Sequence, residues 1–299
     1  MSRKGQRITI AIFGVIIVCL GIVLGLLVTG VFDNKKPQEP DKPADVEVIE
    51  IDPGEAEKQK FRENYDENKA INPDYVGDIF FDSGLLSVNF VQATSVYKEN
   101  GEPYTFYTEN GKLVTDPEGY TGNDVYIWTY WKTGEYDYND NGGSTFMDYR
   151  NYLSDQNIIV YGHHFSVWND ESRTKAFTPL EKFLEKENYE ANKYVTMVLE
   201  HEIRKYVVAE VYEFDATDMS YFDDFQYWRT NYSYDDYTDT IDNEYYSKYI
   251  ANMKRVELYD TGVELTTNDR TLTLQTCISG HTGELFEILV LKELSVESY

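Results

Sequence analysis

Thr271-Leu272-Thr273-Leu274-Gln275-Thr276-Cys277, followed by Ile278-Ser279-Gly280-His281, is the stretch on which the reading of this chain turns. From Thr271 to Thr276, β-branched or polar residues alternate with apolar ones, the period of a strand, and Gly280 and Gly283 break the pattern. A thiol is thus delivered to the C-terminal edge of a strand, where the backbone turns. The only other cysteine, Cys19, lies in an apolar N-terminal segment, so Cys277 has no disulfide partner in its own compartment. A lone cysteine is by itself as well read as a small buried apolar residue. What decides between the two is the rest of the chain.

The 299 residues, 41% hydrophobic and 15% aromatic, suffice for one good core. A net charge of -26, from 53 acidic against 27 basic residues, excludes nucleic acid as a partner, because phosphate binding needs clustered Lys and Arg. An acidic, Tyr-rich, cysteine-poor composition suits an extracellular bacterial protein, although acidity also serves solubility alone.

Ile8 to Phe32 is apolar apart from Thr9 and Thr29, long enough to cross a bilayer with some tilt. Arg3, Lys4 and Arg7 precede it and would hold residues 1–7 in the cytoplasm. No small-x-small site closes the segment, so residues 8–32 are expected to be a retained, single-pass signal anchor in the cell membrane. Residues 33–51, with prolines, charges and no periodicity, read as a flexible linker. Residues 52–299 would then form one extracytoplasmic domain. Asp52-Pro53-Gly54-Glu55 opens a surface helix expected to reach about Asn68, with Asp52 as its cap.

From Ile71 the pattern is β: Ile79–Phe81, Leu86–Val91, Val125–Trp128, Ile158–Tyr161, Val195–Leu199 and Tyr206–Val211, separated by Gly, Asn and Asp clusters. Two helices interrupt these runs. Thr178-Pro179-Leu180-Glu181 has the form of a capping box. Tyr246, Tyr249, Ile250 and Met253 recur at helical spacing, a stripe that reads as core packing. The fold class is mostly β, a closed or nearly closed barrel with helical decorations.

Of the four histidines, His163 follows the run Ile158–Tyr161 and Gly162, a strand end like that of Cys277. A Cys and a His on one rim form a nucleophile with its general acid/base, and the thiolate is the reacting species. His164 points to the opposite side from His163 if the strand continues, and His201, in Glu200-His201-Glu202, reads as a solvated turn residue. Adjacent His163-His164 lack metal-ligand spacing and no second cysteine is at hand, so no metal is expected.

Phe146-Met147-Asp148-Tyr149-Arg150-Asn151, Asn157-Ile158-Ile159-Val160-Tyr161-Gly162-His163 and Thr273-Leu274-Gln275-Thr276-Cys277 resemble the sortase family, in its class B branch. Ile71–Gly77, Ala176–Leu180 and Leu258–Gly262 are similar to class B as well, and the resemblance covers roughly residues 53–294. It implies an eight-stranded sortase-like β-barrel with an N-terminal helix and a long helix before the cysteine strand. It implies work on the outer face of a Gram-positive membrane, without a cofactor. Cys277 would attack the carbonyl of a Thr in the C-terminal sorting motif of a surface protein or pilin. An amine from a peptidoglycan precursor or a pilin Lys would resolve the thioester. His163 would move the protons, and Thr276 could help place the oxyanion or the substrate, or be no more than a β-branched strand residue.

One departure stands out. The family carries an Arg on the strand after the cysteine, a donor to the developing oxyanion, and this chain has no Arg after Arg270. Leu285 or Phe286 occupies its place, with Leu285 taken as the equivalent position. His281, in the turn between the two strands, is the nearest replacement by sequence, though equally an ordinary loop residue. Arg150 and Arg173 could approach only through folding. Three activities stay open: a transpeptidase with an altered oxyanion site, a catalytically weakened protein that binds sorting motifs or assists pilus assembly, and a thiol hydrolase. Acidic, Tyr-rich residues 213–249 are expected to be a solvated insertion or a surface for a basic partner.

Overall fold

The computed structural model describes residues 54–93, 106–109, 112–115, 123–137, 141–148, 151–165, 174–215, 217, 232–233, 236–237, 243–278 and 285–299. The apolar segment 8–32, the linker 33–51 and the candidate residues Arg150, Arg173 and His281 lie outside them, as does most of the acidic stretch 213–249 beyond Asp215. Among the described residues, no helix is long and apolar enough to cross a membrane.

In chain order the elements are helix Glu55–Ile71 (α1), strands Tyr75–Phe81 (β1), Ser87–Val91 (β2), Phe106–Glu109 (β3) and Lys112–Thr115 (β4), and helix Asn123–Trp128 (α2). Strands Thr145–Met147 (β5) and Asn157–Tyr161 (β6) lead to a 3-10 segment, Thr178–Leu184, and a one-turn helix, Tyr189–Asn192 (α3). Then come Tyr194–Val198 (β7), Glu202–Asp215 (β8), Tyr232–Ser233 (β9), Asp236–Tyr237 (β10), helix Asn243–Val256 (α4), Thr271–Cys277 (β11) and Leu285–Ser298 (β12). Eight strands close a barrel in the order β1-β2-β5-β6-β11-β12-β8-β7, and β1 pairs with β7 to complete it. The pairs β3–β4 and β9–β10 stand as separate two-stranded sheets. The expected mostly-β fold is the observed one, with the 17-residue helix before the barrel and the 14-residue helix before the cysteine strand both present.

Strand alternation divides the apolar residues between two sides of the wall. Leu272 and Leu274 of β11 with Leu289 and Leu291 of β12 join Val160, Met197, Val208 and others in the barrel interior, together with Leu180 and Phe183 of the 3-10 segment and Phe177 just before it. The intervening Ile288 and Val290 face outward and pack with Val207 and Ala209 against Tyr246, Tyr249 and Met253 of α4. That is the helical stripe seen in the sequence: Tyr246, Tyr249 and Met253 are buried and its fourth residue, Ile250, is half-buried against the same cluster. A third cluster, with Tyr75, Tyr126, Trp131 and Phe146, sits where α1 and α2 meet β1 and β5.

Three local expectations need correction. Val125–Trp128 is not a strand but most of α2. Four apolar and aromatic residues are too few to separate the two periods, and tertiary contacts decide: the Tyr126 hydroxyl donates to Asp74 Oδ2 at 2.7 Å and accepts from Asn72 Nδ2 at 3.1 Å. Thr178 does not cap an α-helix. The segment is 3-10, its N-cap residue is Phe177, and the Thr178 hydroxyl instead accepts the Phe165 N–H at 2.9 Å. Helix α1 has Gly54 as its N-cap, without a side-chain cap, and runs on past Asn68 to Ile71; Asp52 and Pro53 lie outside the described residues.

Candidate active site

β6 and β11 run parallel, in register from Thr271 opposite Asn157 to Gln275 opposite Tyr161. Two parallel neighbours end side by side, so the residues just beyond, His163 and Cys277, leave the sheet at the same level. The junction is held by the Gly162 N–H donating to the Gln275 carbonyl at 3.1 Å and by the Thr276 hydroxyl donating to the Gly162 carbonyl at 2.9 Å. Cys277 and His163 line one cavity of about 310 Å³. Cys277 shares a strand face with Gln275 and is opposed by Phe286, and the cavity lining draws on residues of the second and third apolar clusters, Phe286 and Phe146 among them.

The imidazole is seated from several directions. His163 meets Phe165 edge to face at 4.7 Å, and its carbonyl accepts the Phe177 N–H at 2.9 Å. Gly142, at φ +70°, lies so close that a Cβ there would stand 2.6 Å from the His163 ring. Only a glycine both adopts that backbone and leaves room for the ring. Ile127, Trp128, Phe146, Tyr161 and Phe286 supply an apolar, aromatic lining, and the Tyr161 hydroxyl is fixed by donating to Asp148 Oδ2 at 2.9 Å.

Burial pushes the Cys277 thiol up from its ordinary value. It lowers His163 to about 4, with His164 beside it adding to the effect. Both shifts favour uncharged forms in a low dielectric, so thiol and neutral imidazole are the resting pair at neutral pH. Strand β6 ends at Tyr161, before His164, which is buried with its Nε2 3.6 Å from Glu181 Oε2. His201 is exposed in the turn between β7 and β8.

The position across from Cys277 belongs to Phe286, not to Leu285. Leu285 lies one residue further out, and its carbonyl accepts the Ile278 N–H at 2.9 Å. Phe286 lines the cavity and Leu285 does not. Among the described lining residues there is no Lys or Arg, which leaves the family's cationic donor without a described substitute. Sequence reasoning missed Gln275, Gly142 and Trp128 as parts of the site. Gln275 was signalled by its i, i+2 relation to Cys277, whereas the other two arrive only through tertiary folding.

No family model matches the chain. Two curated relatives do: Sortase B of Staphylococcus aureus, 29% identical over 154 residues, or 51% of this chain and 54% of that protein, and Sortase B of Listeria monocytogenes, 30% identical over 157 residues, or 52% and 54%. A mutant form of Clostridium perfringens sortase B superimposes with a TM-score of 0.56 at 25% identity, covering 80% of this chain and 90% of that one. The chain is sortase B-like. A Staphylococcus aureus sortase B-substrate complex shares the fold with a TM-score of 0.54 at 22% identity, covering 80% and 88%. The sortase B-like chain spans about half the length of the curated relatives it matches.

Proposed function

We propose that this sortase B-like chain is a cysteine transpeptidase that cleaves a sorting motif and transfers the acyl part to an amine. The observation that carries the proposal is the parallel β6–β11 register, which brings Cys277 and His163 to one aromatic cavity. The Cys277 sulfur attacks the carbonyl carbon of a substrate Thr, and the thiol proton passes to His163. The C–N bond breaks as His163 returns that proton to the departing amine. The incoming amine then attacks the thioester, the C–S bond breaks, and the proton lost by the amine goes through His163 back to sulfur. The donor of the acyl group is a surface protein or pilin with a C-terminal sorting motif, and the amine comes from a peptidoglycan precursor or a pilin Lys. Residues 8–32 anchor the chain in the membrane, with residues 52–299 outside the cell.

Incubation of the full-length chain with Thr-containing peptides and an amine tests this. A transfer product that disappears in Cys277→Ala is the expected result, and hydrolysis without transfer would reduce the reading to a thiol hydrolase.

A second reading, a catalytically weakened protein that binds sorting motifs, is favoured by Phe286 standing where the cationic donor is expected. Losing one oxyanion donor costs about 10²–10³ in rate. Phe286→Arg should therefore raise the cleavage rate if the remaining machinery is intact. Peptide binding with no cleavage in either form would establish the binding role instead.

A further inference from the structure

Gln275 is 5% exposed and lines the cavity beside Cys277. Its Oε1 is buried and, among the described residues, accepts no hydrogen bond. A carboxamide in this condition burdens folding, and a leucine of similar size would not. The cost makes sense where a ligand completes the bonding. The group able to do so is the backbone of one extended residue, whose N–H and C=O point to the same side: its N–H donates to Oε1 while its C=O accepts from Nε2, and a half-turn of the carboxamide only exchanges the two.

Position sharpens the identity of that residue. Gln275 and Cys277 are separated by two strand residues on one face, about 6.7 Å, the rise of two residues in an extended peptide. The acyl part of a substrate must stay bound while the leaving tail departs and the amine enters, so it needs the cavity that Gln275 lines together with Trp128 and Phe286. Resting on the transpeptidase reading, we propose that Gln275 is a substrate-positioning residue. Its carboxamide pairs with the backbone N–H and C=O of the residue two before the scissile bond, so the site takes an extended, uncharged peptide segment and registers it against Cys277.

The test uses the full-length chain and a library of quenched peptides with a fixed Thr and randomised flanks. The best-cleaved member is remade with an ester in place of the amide two residues before the scissile bond, which deletes one N–H. The ester should cost the wild type about tenfold in kcat/KM and cost Gln275→Leu less than about twofold. Alkylation of Cys277 by iodoacetamide should stay within about twofold in the variant, and its melting temperature should not fall, because an unpaired buried group has been removed. An equal ester penalty in both proteins, or unaltered kcat/KM in Gln275→Leu, overturns the inference. If the wild type cleaves no member, the transpeptidase reading fails by itself, and retention of the pooled library decides the present one. Retention by Cys277→Ala that is lost in the Cys277→Ala, Gln275→Leu double variant upholds Gln275; equal retention or none overturns it.

Discussion

Cys277 and His163 each carry a cost of burial, and the two costs act together. With the thiol held above its ordinary value and the imidazole at about 4, the thiolate–imidazolium pair is a minor form at pH 7. Alkylation of Cys277 by iodoacetamide should accordingly rise about tenfold per pH unit from 7 to 9, tracking the thiolate. A rate already at plateau by pH 7 would mean that His163 stabilises the thiolate as an ion pair. A second residue-scale prediction separates placement of the ring from backbone strain. Gly142 and Gly84 both have positive φ, but a Cβ at Gly84 meets open space whereas one at Gly142 meets His163. Alanine at Gly84 should cost about 1–2 kcal/mol of stability, and at Gly142, where the His163 side chain must also shift, at least as much, each read as a drop in melting temperature. Only Gly142→Ala should also lower peptide cleavage, by tenfold or more, with Gly84→Ala the control. Of this pair of glycines and its histidine, the sequence displayed only the histidine. A glycine's role as a neighbour depends on a contact made across a fold, which no local pattern records.

At the scale of elements, β11 and β12 do two jobs with one alternation. Gln275, Thr276, Cys277 and Phe286 line the cavity, whereas Glu287, paired in register with Thr276, does not. Glu287 is 1% exposed, and burial, followed by repulsion from Glu181 and Glu213, raises its carboxyl to about 8. The folded state thus holds a proton that the unfolded chain releases above about 4.5, so the stability contributed is complete below pH 4.5 and is lost as pH rises through about 8. Glu287→Gln should melt like the wild type at pH 4.5 and several degrees higher at pH 9. A constant difference across that range would show that the carboxyl does not titrate there. Glu210, also buried and raised despite Lys254 at 3.1 Å, leaves a residual slope of the same sign. The periods of β11, β12 and α4 were legible because long, half-buried elements impose them. Short segments were not: Val125–Trp128 and Thr178–Leu184 take their conformations from Asp74, Asn72 and Phe165, residues distant in sequence. The Thr271–Cys277 run announced a strand but not its parallel pairing with β6, and it was that pairing, not the strand itself, that joined the thiol to the imidazole.

For the whole molecule, charge bears on the second half of the proposed reaction more than on the first. A net charge of -26 surrounds the site with a field that concentrates cations, while the described lining of the cavity carries no Lys, Arg, Asp or Glu. An uncharged peptide segment enters such a cavity with little help or hindrance from the field. An amine nucleophile arrives mostly as an ammonium ion, is enriched near the acidic surface, and loses its proton before attacking the thioester. Salt shortens the reach of the field from about 10 Å at 0.1 M to about 3 Å at 1 M. Raising NaCl from 50 mM to 1 M should therefore lower aminolysis by a lysine-containing peptide several-fold. Formation of the acyl-enzyme from a neutral peptide should change by less than about twofold, and so should aminolysis by hydroxylamine, which is uncharged at pH 7. Equal salt dependence of all three rates would assign the acidity to solubility alone.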